Sequence, residues 1–135
     1  MKRVAAGFNV ALVALLQIQA STPSRITIVE ARELVYASIP KNEQTHRGLV
    51  MDLDREDEGC AVYHVYRDRP DLMAFTIGFW SIDVRTGEVW DESRQVRVTN
   101  ERVVQIQRAI RKRLRVTDAE EFQSISRPCY ERISS

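Results

Sequence analysis

His64 stands four residues after Cys60, a spacing that on an extended strand puts an imidazole and a thiol on one face, the pair that a base-activated nucleophile needs. On such a strand the two lie about 13 Å apart, too far for proton transfer. The other imidazole, His46, falls in a polar loop and needs no special role. The sequence contains no H-E-x-x-H, no G-x-S-x-G, no phosphate-cradling P-loop and no C-x-x-C. We therefore expect no catalytic residues and no enzyme activity.

Asp52, Asp54, Glu56, Asp57 and Glu58 place oxygens at alternating positions, as a calcium loop does. The match then fails, because Asp57 stands where the loop needs Gly and Tyr63 where a bidentate Glu should close the site. A solvated acidic turn is the expectation, with no metal and no cofactor. Arg108, Arg111, Lys112, Arg113 and Arg115 make a late helix locally basic. Their position suits the negative end of the helix dipole and a wet outer face. Twenty basic residues against nineteen acidic ones leave little net charge, and no aromatic flanks these arginines, so nucleic acid is not an expected partner.

The elements that must position these groups can be read in order. Lys2 and Arg3 precede the apolar run from Val4 to Leu16, and small Ala20 follows, which is the order of a secretory signal peptide covering residues 1–20. The run is too short for a permanent membrane anchor, which takes about 20 apolar residues. The expected location is periplasmic or secreted. In that oxidising setting Cys60 and Cys129, the only cysteines, are expected to form one disulfide, the alternative being two free thiols.

Residues 21–135 are expected to form a single α+β domain: an N-terminal helix packed on an antiparallel sheet of three or four strands, followed by C-terminal helices. Thr27 to Glu30 and Thr117 to Glu120 both have capping-box spacing, which starts a helix at each. Ile28, Ala31, Leu34, Val35 and Ser38 share one face of the first helix, and Pro40 stops it. Leu49, Met51 and Leu53 alternate as a half-buried strand, residues 54–59 read as a turn, and β-branched and aromatic residues fill 60–67 and 73–84. Val103, Ile106, Ile110 and Leu114 form the stripe of the late helix, with Thr99 or Asn100 as its cap.

The aromatics Tyr63, Tyr66, Phe79, Trp80 and Trp90 cannot all face one core, because neighbouring strand residues point to opposite faces. Either these five include an exposed partner-binding patch, or both faces are covered within the fold.

The segment 79–90 carries a D-x-x-T-G-E-V pattern at Asp83, Thr86, Gly87, Glu88 and Val89. With the helix from Thr27 and the central strands, it resembles a PepSY-type domain over about residues 27 to 92. A helix on a small antiparallel sheet, acting as a binding module that restrains peptidases, is what that resemblance implies. The hairpin Thr86, Gly87, Val89, Trp90 and the late pair Pro128-Cys129 are also similar to those of other exported bacterial proteins. The functional expectation is thus an exported binding module, an inhibitor or immunity-like protein whose partner is a peptidase or hydrolase. The alternative is a structural or envelope-associated protein that acts by self-association as a homo-oligomer.

Overall fold

Local signals set the ends of the helices. A computed structural model describes residues 24–133, so the expected leader at residues 1–20 lies outside the described residues. Helix α1 (Ile28–Ser38) opens on a complete capping box: Thr27 Oγ1 accepts the Glu30 N–H, and Glu30 Oε2 accepts the Thr27 N–H at 2.8 Å. Ile39 leaves the helix in extended geometry ahead of Pro40, and a short helix α2 (Lys41–Gln44) follows. Helix α3 (Glu101–Leu114) is capped by Asn100, whose Oδ1 accepts the Val103 N–H. Helix α4 (Asp118–Ser126) has the second capping box, built by Thr117 and Glu120, and α5 (Cys129–Arg132) closes the described chain.

Between α2 and α3 run five strands: β1 (Leu49–Asp57), β2 (Cys60–Arg69), β3 (Leu72–Asp83), β4 (Val89–Asp91) and β5 (Val96–Arg97). They form one antiparallel sheet in the order β1-β2-β3-β4-β5. The chain is therefore α+β with helices before and after the sheet, and the strand count is five rather than three or four. The extra strand is the two-residue β5, too short to leave a periodic signal.

The acidic run 54–59 departs from its expected turn. β1 continues to Asp57, and Glu58 and Gly59 alone reverse the chain, both at positive φ (50° and 74°). Two left-handed residues match the twist of a tight hairpin, and pairing with β2 overrides the weak strand preference of the acids. Asp54 is extra in the β1–β2 register and Ile77 in the β2–β3 register, so each hairpin contains a bulge.

One face of the sheet holds the core. Leu34 and Val35 of α1 and Val103 and Ile110 of α3 pack on Ala61, Tyr63, Val65, Trp80, Ile82 and Val89. Each fully buried aliphatic contributes on the order of 2 kcal/mol. Ile28, expected on the buried face of α1, is 75% exposed in the first turn of the helix. Leu53 of β1 is likewise half exposed. Arg32 of α1 reaches the outer edge of β1 and donates to Met51 O at 2.8 Å. Among the described residues no helix is long and apolar enough to cross a membrane.

Candidate docking face of the sheet

The second face of the sheet is divided by the C-terminal segment. Cys60, at the start of β2, is bonded to Cys129 at the start of α5, with their Cα atoms 5.8 Å apart, and Trp90 packs against the bridge with Tyr130 and Ile133 at the rim. The disulfide anticipated from the cysteine count is therefore present, and it holds α5 over one end of this face.

The β3–β4 turn fastens the same end. Asp83 Oδ1 accepts the Arg85 and Thr86 N–H groups, while Oδ2 accepts the Ser124 hydroxyl at 2.8 Å and Arg132 Nη2 at 2.7 Å. Thr86 Oγ1 and Ser124 Oγ are 2.8 Å apart. Gln107 donates to Gly87 O, and Gly87 sits at φ +75° with Ile110 and Leu34 against the place a Cβ would occupy. Glu88 is fully buried: Arg97 grips both its oxygens, and Arg111 adds a further ion pair while also holding Glu121 at 2.8 Å. Arg111, expected on the wet outer face of the late helix, is thus turned inward, because a buried carboxylate requires a cation. Every polar residue of the turn pattern is spent on holding the hairpin to α3, α4 and α5.

Beyond the reach of α5 the face is open. Asp52, His64 and Phe79 are in register across β1, β2 and β3, and the Glu92 N–H, just past β4, donates to Phe79 O at 3.0 Å. These four make a row across the sheet, acid, imidazole, phenyl, acid. His64 stacks on Phe79 with centroids 4.5 Å apart and lies 4.9 Å from the Tyr66 ring. Its Nε2 is 2.9 Å from Thr76 Oγ1, so the imidazole has a hydroxyl partner and no thiol. Tyr66 donates its hydroxyl to Asp52 Oδ2 at 2.8 Å, and that bond to a carboxylate pushes its phenol above the ordinary tyrosine value.

At the other end of the row Glu92 is half-buried. Burial pushes its carboxyl above the usual range, against the pull of the neighbouring Ser81 hydroxyl and of Arg55. Ser81 is fully buried, and its Oγ faces the carboxylate without closing a hydrogen bond of good geometry; Glu92 Oε1 is buried and unpartnered as well. Among the described residues no ion pair links Arg55 to Glu92.

The five aromatics anticipated as a partner surface are split by this arrangement. Tyr63 and Trp80 lie in the core under the helices, and Trp90 lies under the disulfide; at 4%, 4% and 2% exposure none of the three faces a partner, which corrects the expectation for them. Tyr66 and Phe79 are on the open face. Sequence reasoning did not single out Glu92 or Ser81, and it considered Asp52 only as a metal ligand. The signal available was the alternation of strand residues, but joining Asp52 to Glu92 needs the register of four segments. In the groove between α1 and α3, Ser38 gives its hydroxyl to Leu34 O and has no base beside it.

No family model matches the chain, and no curated protein matches it. Among solved structures it is similar to a chain in a type VI secretion system effector-immunity complex from Pseudomonas protegens, with a TM-score of 0.61 and 18% identity. The match covers 76% of this chain and 88% of that one. At such identity the likeness is one of fold.

Proposed function

We propose that this chain is a small protein-binding module of the immunity type, exported from the cytoplasm, which protects its producer by lying over the working surface of a peptidase or other hydrolase. The observation that carries this reading is that its fold is shared with a chain of an effector-immunity complex. Of the two roles in such a complex, the binding role suits these residues better. Both cysteines are tied in the disulfide, the Ser124 hydroxyl is buried against Asp83, whose carboxylate also holds Arg132, and the His64–Thr76 contact has no carboxylate bonded to the imidazole among the described residues. What the chain does offer is a stiff sheet, fastened at one end by a covalent bridge and buried ion pairs and open at the other. A rigid, pre-organised surface binds with little ordering cost. PepSY-like restraint of a peptidase is consistent with the same mode of action.

Self-association is the weaker reading. Pairing β1 with a second β1 would set Asp52, Asp54, Glu56 and Asp57 of one copy against the same acids of the other, and opposed like charges destabilise strand pairs.

The test is protection. A hydrolase recovered in complex with the chain from its native cells, purified, should lose activity in proportion to added chain and form a complex of fixed stoichiometry by size-exclusion light scattering. Cells lacking the gene should be killed by sister cells that keep it. An uninhibited enzyme and unharmed deletion cells, with the chain found only as a homo-oligomer, would remove the immunity reading.

A further inference from the structure

The open face differs from the rest of the surface in three respects. It carries two carboxylates at the ends of an aromatic stack, Asp52 and Glu92, with no basic residue in the row. One of these carboxylates has a buried oxygen without a partner. The hydroxyl of Ser81, fully buried on the same face, is also unpartnered. Elsewhere the buried acids are satisfied: Glu88 has Arg97 and Arg111, Asp83 has Arg132 and Ser124, and Glu30 has Arg113. Buried polar groups in folded proteins are almost always paired, so an orphan carboxylate oxygen beside an orphan hydroxyl marks a place where a donor is to be received.

We propose that the row Asp52, His64, Phe79 and Glu92 is the recognition site for a basic side chain, arginine or lysine, presented by an extended segment of the neutralised protein. The chemistry of the row selects that occupant. A guanidinium is planar, weakly hydrated and rich in donors, so it can lie against the phenyl of Phe79 while donating to Glu92, freeing the Ser81 hydroxyl to turn to the same carboxylate from below. The alkyl stem of arginine or lysine covers the imidazole and the Tyr66 ring. Asp52, already accepting from Tyr66, supplies the second negative charge at the far end. Arg55 of β1 already acts on Glu92 through its charge without forming an ion pair, so an incoming cation must take its place beside that carboxylate. The surface is a flat sheet, which suits a protein segment better than a small molecule. A second copy of the chain is the competing occupant, through the exposed Arg108, Lys112 and Arg115 on α3 and at its C-terminal cap.

This inference takes its partner from the immunity reading, but its test needs no partner. The full chain, isotope-labelled, is titrated at low salt with the capped peptide acetyl-Gly-Arg-Arg-Gly-amide and with its citrulline counterpart. Citrulline keeps the shape and removes the charge. The arginine peptide should shift the backbone amide signals of residues 52, 64, 66, 76, 79 and 92, and the citrulline peptide should leave them in place. Glu92→Gln should weaken the peptide about tenfold while raising the melting temperature of the free chain by a few degrees, the signature of a residue kept for binding at a cost in stability. Phe79→Leu should weaken it several-fold with the fold retained, and Asp71→Asn, in the distant β2–β3 turn, should change nothing.

Shifts spread evenly over the exposed acids of β1, an unaltered affinity in the Glu92→Gln chain, or the same shifts on concentrating the chain without peptide would overturn the proposal, the last in favour of a second copy. Loss of this peptide effect leaves the protection experiment standing. Absent protection with the peptide effect intact removes the immunity reading alone.

Discussion

Glu88 and Glu92 stand four positions apart and show opposite solutions to the burial of a carboxylate. Glu88 has no exposure and two guanidiniums; Glu92 has less burial and none. Removing the charge at Glu88 strands Arg97 and Arg111, so Glu88→Gln should cost about 3 kcal/mol in urea unfolding, with both arginines left short of a partner. At Glu92 the sign reverses. Its carboxyl titrates higher in the folded chain than in the unfolded one, so the folded state binds the extra proton as the pH falls towards the carboxylate range and gains stability there. Glu30 and Glu56 are lowered, Glu30 by its bonds to Arg113 and Thr27 that outweigh its burial, and Glu56 chiefly by Arg25. Their contribution is present above the unfolded value and is lost as the pH falls through the folded one. A melting curve taken from pH 7 downward should therefore rise slightly and then fall, and Glu92→Gln should abolish the rise while keeping the fall. The sequence marks Glu88 as part of the turn pattern but gives no sign of its partners and no sign of Glu92; register and the placement of α3 decide which one is paired.

At the scale of elements the sequence was more informative, because caps and breakers act locally. The Thr27 and Thr117 boxes, the stop at Pro40 and the Asn100 cap all stand where the residue types put them. Thr117→Ala should destabilise by about 1 kcal/mol in thermal unfolding, a larger loss than for an exposed mid-helix threonine, since it frees the Glu120 N–H at the start of α4, while the backbone N–H at 117 keeps its bond to the Glu120 carboxylate. A Thr117→Ala chain as stable as the parent would mean that α4 is held by the bonds of Ser124 and Glu121 to the neighbouring elements instead. Strand boundaries were less legible. The acidic residues of β1 have poor strand preference, and what keeps them extended is pairing with β2, a contact that only the folded chain supplies. The faces of the aromatics failed for a related reason: alternation says that Phe79 and Trp80 diverge, but not which side the helices will cover, and Ile77 adds an extra residue that shifts the phase of β3 against β2.

The whole molecule depends on a closure between its middle and its end. The Cys60–Cys129 bridge spans a sequence separation of 69 residues and holds α5 on the sheet. On the chain-entropy account a loop of that length is worth about 4 kcal/mol, so replacing both cysteines with alanine should lower the urea midpoint by roughly that free energy. A double variant with an unchanged midpoint would show that the ion pairs of Asp83 and Glu88 fasten the C-terminal segment unaided. The pairing could be anticipated from a count of two sulfurs, whereas the position of the bridge over Trp90 could not, since that follows from where β4 joins the sheet.

A disulfide in contact with an indole ring drains its excited state. Trp90 touches the bridge and Trp80 lies on the opposite side of the sheet, so the chain carries its own optical gauge of sulfur oxidation. Adding a reductant should brighten the emission before any red shift announces unfolding, and the brightening should vanish when Trp90 is replaced by phenylalanine. The redox history of the protein in any compartment could then be followed by light alone, without a label.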